Sequence, residues 1–439
     1  MSTTVTVPGV YIEEDASPAI SVSQGATAVP LFIARFKPKD SKYNGVVTRV
    51  SSWLDFSQKF DSDSALSGSV KITSKADNED TPTKYTYSIA SGTVSLSAAS
   101  PLKLYFQNGG GACYVCALDD ASDSATLAAL PGLADEKGDI TLFVVPENDS
   151  DYQTVVYGAL TASLDQTKGY FLLADSQDGT APAGLGSSSH IGVYYPSVTL
   201  SSSLTLEDKN VAISGYTNID AKKTASTLAD LLAIDGTTAN QVSSALAGPL
   251  TAALNVGPSA LMAGVYCKVD RERGVWKAPA NVVLSGVSDV SVRVTDDAQG
   301  TMNQAGVNVI RYFSDRGLVV WGARTQQDDD NWRYIPVRRL FDAAERDIKK
   351  AMRTMVFEPN NQLTWKRVQT AIENYLHGIW QQGGLSGNKA AEAYFVQIGK
   401  DLTMTTDDIN QGKMIVQVGM AAVRPAEFII LQFTQDMAQ

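Results

Sequence analysis

Residues 140–145 (ITLFVV), 152–164 (YQTVVYGALTASL) and 170–174 (YFLLA) decide the fold class. The first and last are short, continuous apolar runs, which read as strands buried on both faces. The run between them has helical apolar spacing. Strand, helix, strand in this order implies an α/β domain with a largely parallel sheet. Working outward, residues 192–195 read as another strand and 26–36 (ATAVPLFIARF) as a buried one. Residues 104–106, the Gly109–Gly111 triplet and 114–118 read as strand, tight turn, strand. A helical region covers about 239–265. Residues 61–100 are rich in Ser, Thr, Asp and Ala. Their alternating part, 71–97, predicts a small β-hairpin insertion at the surface, dispensable for the core.

Toward the C-terminus, 306–313 and 317–321 read as strands. Pro336 precedes a predicted helix over 337–356, with apolar positions at Leu340, Ala344, Ile348, Met352 and Met355. Pro359 ends it. Thr364 is the expected cap of a second helix with core positions Val368, Ile372, Tyr375 or Leu376, and Ile379, stopped by Gly383 and Gly384. Strands are expected at 393–398, 414–418 and 427–433. At the other end, residues 5–12 read as an extended arm around Pro8 and Gly9, with no partner strand beside it in sequence.

A chain of 439 residues favours two or three domains. Its net charge of −11 makes it a poor nucleic-acid binder, because phosphates repel it. The acidity is uneven: from residue 300 onward 16 basic residues nearly balance 15 acidic ones, so the excess lies in the front of the chain. This asymmetry implies surfaces with different neighbours. Three cysteines, Cys113, Cys116 and Cys267, fit a reducing compartment rather than a disulfide framework. Residues 1–12 lack signal-peptide character. The longest uncharged stretch, 236–267, contains Pro249 and Pro258 and reads as buried structure rather than a membrane span.

No stretch assembles a credible active site. Cys113 and Cys116 have half the spacing of a zinc site, without a second ligand pair, and lie in a strand rather than at a helix N-terminus. His190 sits in a Gly/Ser-rich loop with no nucleophile elbow before it, so it reads as a solvated side chain. Gly109–Gly111 lacks the Lys-Ser/Thr of a phosphate loop. Asp328–Asp330 lacks the alternation of a calcium loop. No catalytic residue, metal ligand or cofactor is expected. The most informative surface feature is basic: Arg339, Arg346, Lys349, Lys350 and Arg353 lie opposite the apolar stripe of the 337–356 helix. One reading is a solvated face with i,i+4 pairs, Asp342 with Arg346 and Glu345 with Lys349. The other is a docking ridge for an acidic partner.

Residues 265–281 (VYCKVDRERGVWKAPAN), 306–311 (GVNVIR), 316–325 (RGLVVWGART), 332–340 (WRYIPVRRL) and 356–360 (VFEPN) resemble the contractile tail sheath protein family. So do Pro425-Ala-Glu-Phe428 and residues 8–14 (PGVYIEE). The resemblance is nearly continuous from about 260 to 434. It implies a multi-domain α/β chain, α+β overall. A linker arm over 1–25 would lead to a β-rich region with the polar insertion (26–100). A subtilisin-like α/β middle domain without protease activity (101–300), a tube-facing α+β core domain (301–425) and a C-terminal arm (426–439) would follow. The arms would add strands to neighbouring subunits, through Val10, Tyr11, Ile12 and Glu13 at one end and Phe428, Ile429, Ile430, Leu431 and Phe433 at the other. The core domain would place Arg339, Arg346, Lys349, Lys350 and Arg353 against the tube. The implied partners are further copies of the chain, an inner tube protein, and baseplate and tail-terminator proteins, with neither nucleic acid nor membrane insertion. The chain would be made in the bacterial host cytoplasm and then form part of a phage tail or an extracellular phage-like injection particle. The competing expectation is a subtilisin-like hydrolase with His190 as its base.

Overall fold

A computed structural model of the chain describes residues 21–62, 66–79, 82–119, 124–165, 168–201, 204–218 and 223–430. The chain divides into two compact units: residues 25–346 with 422–430, and residues 21–24 with 347–421.

In the larger unit, eight strands among the described residues form one sheet. Their order is Gly317–Trp321, Val307–Phe313, Ile191–Tyr195, Phe171–Asp175, Leu142–Val144, Pro30–Ala34, Cys113–Ala117, Thr48–Val50. The six inner strands run parallel, with registers such as Leu31 beside Tyr114 and Leu172 beside Ile191. Both edge strands are antiparallel. Alternate residues feed two separate cores. Phe32 and Ala34 face Leu102, Tyr105, Leu261 and Tyr266 on one side. Leu31 and Ile33 face Leu130, Tyr152, Val156 and Leu160 on the other. Helices on both faces explain why a strand such as Leu142–Val144 is apolar at every position. The sheet takes strands from 26–100, 101–300 and 301–425 alike, segments that the sequence reading kept apart.

Two expectations fail here. Residues 104–106 are not a strand but the end of the helix Ala99–Gln107. Leu102 and Tyr105, one turn apart, are buried with residues of the helix Ser259–Arg273. The two backbones approach closely at Gly264, where an added Cβ would lie 2.4 Å from the Tyr105 carbonyl oxygen. The polar insertion is not dispensable packing either. Leu66–Ala76 pairs in parallel with Val211–Ser214 and antiparallel with Tyr85–Ile89 and Thr93–Leu96. Its inward residues Val70 and Ile72 join Val211, Ile213, Leu231, Val242 and Leu246 in a third core. The polar composition belongs to the outward half of an alternating strand.

In the smaller unit, the helix Gln362–Gln381 buries Val368, Ile372, Tyr375, Leu376 and Ile379. Its cap is Asn361, whose side chain accepts from the Thr364 amide at 3.0 Å; Thr364 is itself inside the first turn. A hairpin of Tyr394–Gln397 and Gln417–Met420 follows, with Val396 opposite Val418. Residues 427–430 form no strand, and the rest of that expected strand, 431–433, lies outside the described residues.

Candidate assembly interface

The expected basic ridge belongs to the helix Ile335–Met352 and the single turn Arg353–Met355 after it. The boundary between the two units falls inside this helix, between Arg346 and Asp347. Arg339 is not a surface residue: only 4% of it is exposed. Its guanidinium forks onto Asp270, Nη1 to Oδ1 at 3.0 Å and Nη2 to Oδ2 at 2.6 Å. Nη2 also donates to the Thr27 carbonyl at 3.1 Å, and the group lies 4.5 Å from the centre of the Tyr266 ring. Thr27 Oγ1 donates to Asp270 as well, at 2.5 Å. Helical period placed Arg339 on the ridge; a carboxylate from a distant helix, invisible to periodicity, draws it inward. Arg346 is half-buried and donates to the Gly169 carbonyl at 3.1 Å. Asp342 pairs with Arg338 at 2.8 Å, where the sequence reading paired it with Arg346. Lys349, Lys350 and Arg353 are exposed.

Of the expected arm residues, Val10, Tyr11, Ile12, Glu13, Leu431 and Phe433 lie outside the described residues. Phe428, Ile429 and Ile430 are strongly exposed. Just before them Glu427 is tied down. It accepts from Arg324 Nε at 3.0 Å and Nη2 at 2.5 Å, from Asn303 Nδ2 at 3.0 Å and from the Tyr334 hydroxyl at 3.3 Å. Desolvation works to raise the pKa of this carboxyl; the hydrogen bonds from Arg324 and Asn303 outweigh it and hold the group below the usual carboxylate range. Sequence reading missed this contact, whose partners are far apart in the chain. It also missed Phe357, which is fully exposed in a left-handed backbone conformation (φ 74°) beside the exposed Val356. A bulky residue held at positive φ is an outlier of the kind found at functional sites.

The hydrolase alternative meets a constellation that superficially suits it. His190 is buried, not solvated as expected. Its Nε2 lies 3.3 Å from Asp342 Oδ1 and its Nδ1 3.4 Å from Ser189 Oγ. Ser189 is itself buried, out of reach of a substrate. Asp342 is committed to Arg338, which lies 4.1 Å from the centre of the Trp332 ring. This is a buried polar network that fixes packing. The cysteines are buried as well. Cys113 and Cys116 contribute to opposite faces of the sheet, so their thiols cannot meet. Burial pushes the Cys116 thiol up to about 12.

One further buried acid organises the sheet end. Asp175 closes its strand and accepts from the amide and hydroxyl of Ser259, both at 2.7 Å. It thereby caps a helix whose own N-cap residue, Pro258, has no side-chain bond to offer. Desolvation pushes this carboxyl up to about 7 despite three donors, the two of Ser259 and the Gln153 side-chain amide at 3.3 Å.

The chain matches the family model of the phage tail sheath protein central domain over residues 200–326. It matches that of the phage tail sheath C-terminal domain over 327–436. The helical sheath of the anti-feeding prophage in its contracted state contains a chain 56% identical to this one. That likeness covers 99% of this chain and 100% of the other, with a TM-score of 0.74. The sheath complex of an extracellular contractile injection system, PVC, also in the contracted state, is 36% identical, with 99% of both chains covered and a TM-score of 0.68. Among curated proteins, the tail sheath protein of Vibrio phage KVP40 is 25% identical over 177 residues, 39% of this chain. The matched stretch spans 25% of that relative's length. No helix among the described residues is long and apolar enough to cross a membrane. Matched by both family models and along nearly the whole length of the anti-feeding prophage and PVC sheath chains, this protein belongs to the contractile tail sheath family.

Proposed function

We propose that the chain is the structural subunit of a contractile sheath. Many copies polymerise helically around an inner tube and shorten from a metastable extended state, driving the tube through a target envelope. The observation that carries this reading is the end-to-end likeness to a chain of a contracted helical sheath. The energy comes from two packings of one assembly that differ in free energy, not from a reaction in the subunit. The buried, arginine-bound Asp342 and the inaccessible Ser189 fit a chain without hydrolase activity.

The partners of this reading are further copies of the chain, an inner tube protein, and baseplate and tail-terminator proteins. The particle is a phage tail or an extracellular phage-like injection particle, assembled from subunits made in the host cytoplasm. Tube contact falls to Lys349, Lys350 and Arg353, which are exposed; Arg339 is withdrawn from that set because Asp270 holds it, and Arg346 because it is half-buried and donates to the Gly169 carbonyl. Exposed ion pairs are individually weak and salt-sensitive. Summed over many subunits they hold the extended state, yet release the tube when contraction begins. The arms, including the exposed Phe428, Ile429 and Ile430, supply strands to neighbouring subunits.

Electron microscopy of the purified chain tests the assembly claim. Hollow helical polymers are expected. A species that stays monomeric at high concentration contradicts the reading.

A further inference from the structure

The contacts of Arg339 and Glu427 have a common element. Arg324 and Tyr334, which hold Glu427, and Arg339, which holds Thr27 through its carbonyl and through Asp270, all lie between the last sheet strand and the first turns of the helix Ile335–Met352. Glu427 is the last residue before the exposed Phe428, and Thr27 sits just inside the N-terminal edge of the described core. Thr27 and Glu427, each near one end of the described residues, therefore both rest on an arginine of the same short connection.

That connection is stapled to itself. The Thr325 hydroxyl donates to the Trp332 carbonyl at 2.7 Å, and the Thr325 amide to the Arg333 carbonyl at 2.8 Å. Asp329 accepts from the amides of Asn331 at 2.7 Å and Trp332 at 2.9 Å. Arg333 pairs with Asp328 at 2.8 Å, and the Ile335 amide donates to the Ala323 carbonyl at 3.0 Å. A segment with so many internal bonds moves as one piece.

We propose that the connection from Arg324 to Arg339 is a shared anchor for the two arms, with Arg324 gripping the C-terminal root through Glu427 and Arg339 gripping the N-terminal root through Thr27 and Asp270. The inference rests on the reading that the arms link neighbouring subunits. Tension on either arm then reaches the same stiff segment at the sheet edge, and passes from one neighbour to the next through it. Arginine suits both grips, because its planar fork matches a carboxylate with two bonds where lysine offers a point charge.

The test compares polymers of the full chain with those of Glu427→Gln, Arg324→Lys, Thr27→Val and a truncation after Ala426. Resistance to fragmentation is read by sedimentation at a fixed sub-denaturing urea concentration, and subunit integrity by melting. The truncated chain is expected to form no polymers. Glu427→Gln and Arg324→Lys are expected to form them, but to fragment about tenfold faster than wild type, the order that follows from losing one charge-assisted bond. Thr27→Val, which spares the Arg339–Asp270 pair, is expected to weaken polymers in the same direction. Subunit melting should stay within about 3 °C of wild type in all three, since a tenfold effect corresponds to no larger shift in a unit of this size. If the truncation blocks assembly while all three substitutions fragment at the wild-type rate, the anchor is wrong and the linking arms stand. If the truncated chain assembles normally, the linking arms fail and the anchor falls with them. A fall in subunit melting well beyond that assigns these residues to folding and also overturns the proposal.

Discussion

Replacing Arg339 by Met separates two accounts of the basic helix. On a solvated ridge, losing this charge would change subunit stability by no more than about 0.5 kcal/mol. In the structure the side chains of both Arg339 and Asp270 are nearly inaccessible, at 3% and 6% exposure. Removing one partner of such a pair leaves the other buried and uncompensated, which costs about 3–5 kcal/mol. Loss of the guanidinium over the Tyr266 ring contributes in the same direction. For a unit of this size about 2 °C of melting temperature accompanies each kcal/mol, so Arg339→Met should melt about 6–10 °C below wild type. Melting is followed by circular dichroism at one low subunit concentration for all variants, because assembly would otherwise shift the transition. Adding Asp270→Leu removes the stranded carboxylate and should recover part of the loss. An Arg339→Met subunit that melts within about 1 °C of wild type would refute the buried-pair account.

Three further outcomes follow from named contacts. Gly264→Ala should destabilise the subunit by up to about 2 kcal/mol in denaturant titration, because its Cβ meets the Tyr105 carbonyl and the overpacking, about 1–3 kcal/mol, outweighs the ~1 kcal/mol that Ala gains in a helix. Asp175 keeps its proton up to about pH 7 when folded but loses it near pH 3.8 when unfolded, so the native state binds more protons between those values and stability contributed there falls as pH rises through the window. Asp175→Asn should therefore flatten the decline in melting temperature from pH 5 to pH 8, and an unchanged slope would rule Asp175 out as its source. The combined change of Lys349, Lys350 and Arg353 to Glu should leave tube-free polymers intact and abolish extended sheath on tubes, as seen by negative-stain microscopy; extended, tube-filled particles from this variant would move the docking surface elsewhere.

The parallel sheet was legible because its strands are covered on both faces, which leaves a run such as Leu142–Val144 apolar at every position. The helix Ile335–Met352 was legible from its stripe, and its observed bounds differ from the expected ones by a few residues at each end. The helix Ala99–Gln107 was misread because three apolar residues in a row satisfy either period, and only the approach to Gly264 decides between them. The assembly residues were harder. Spacing along one helix says where Arg339 points, but the partner that makes it structural, Asp270, is 69 positions away. Glu427 and Arg324 are separated by 103 positions. His190 looked solvated from its Gly/Ser-rich surroundings, yet Asp342 and Ser189 enclose it. Local pattern reports which face a residue takes; it does not report what another element brings to that face. Family membership came instead from motif blocks such as residues 316–325 and 332–340, which cover the anchor segment at both ends.

A contractile sheath subunit stores and releases length through its packing. The most direct test of this is the length of tube-bound sheaths of the complete particle, measured by cryo-electron microscopy before and after triggering, with the number of subunits counted in each. The account predicts a shorter, wider sheath with the same number of intact subunits and the same fold in each. A sheath that keeps its length after the tube has advanced, or one that shortens only by losing or cleaving subunits, would contradict it.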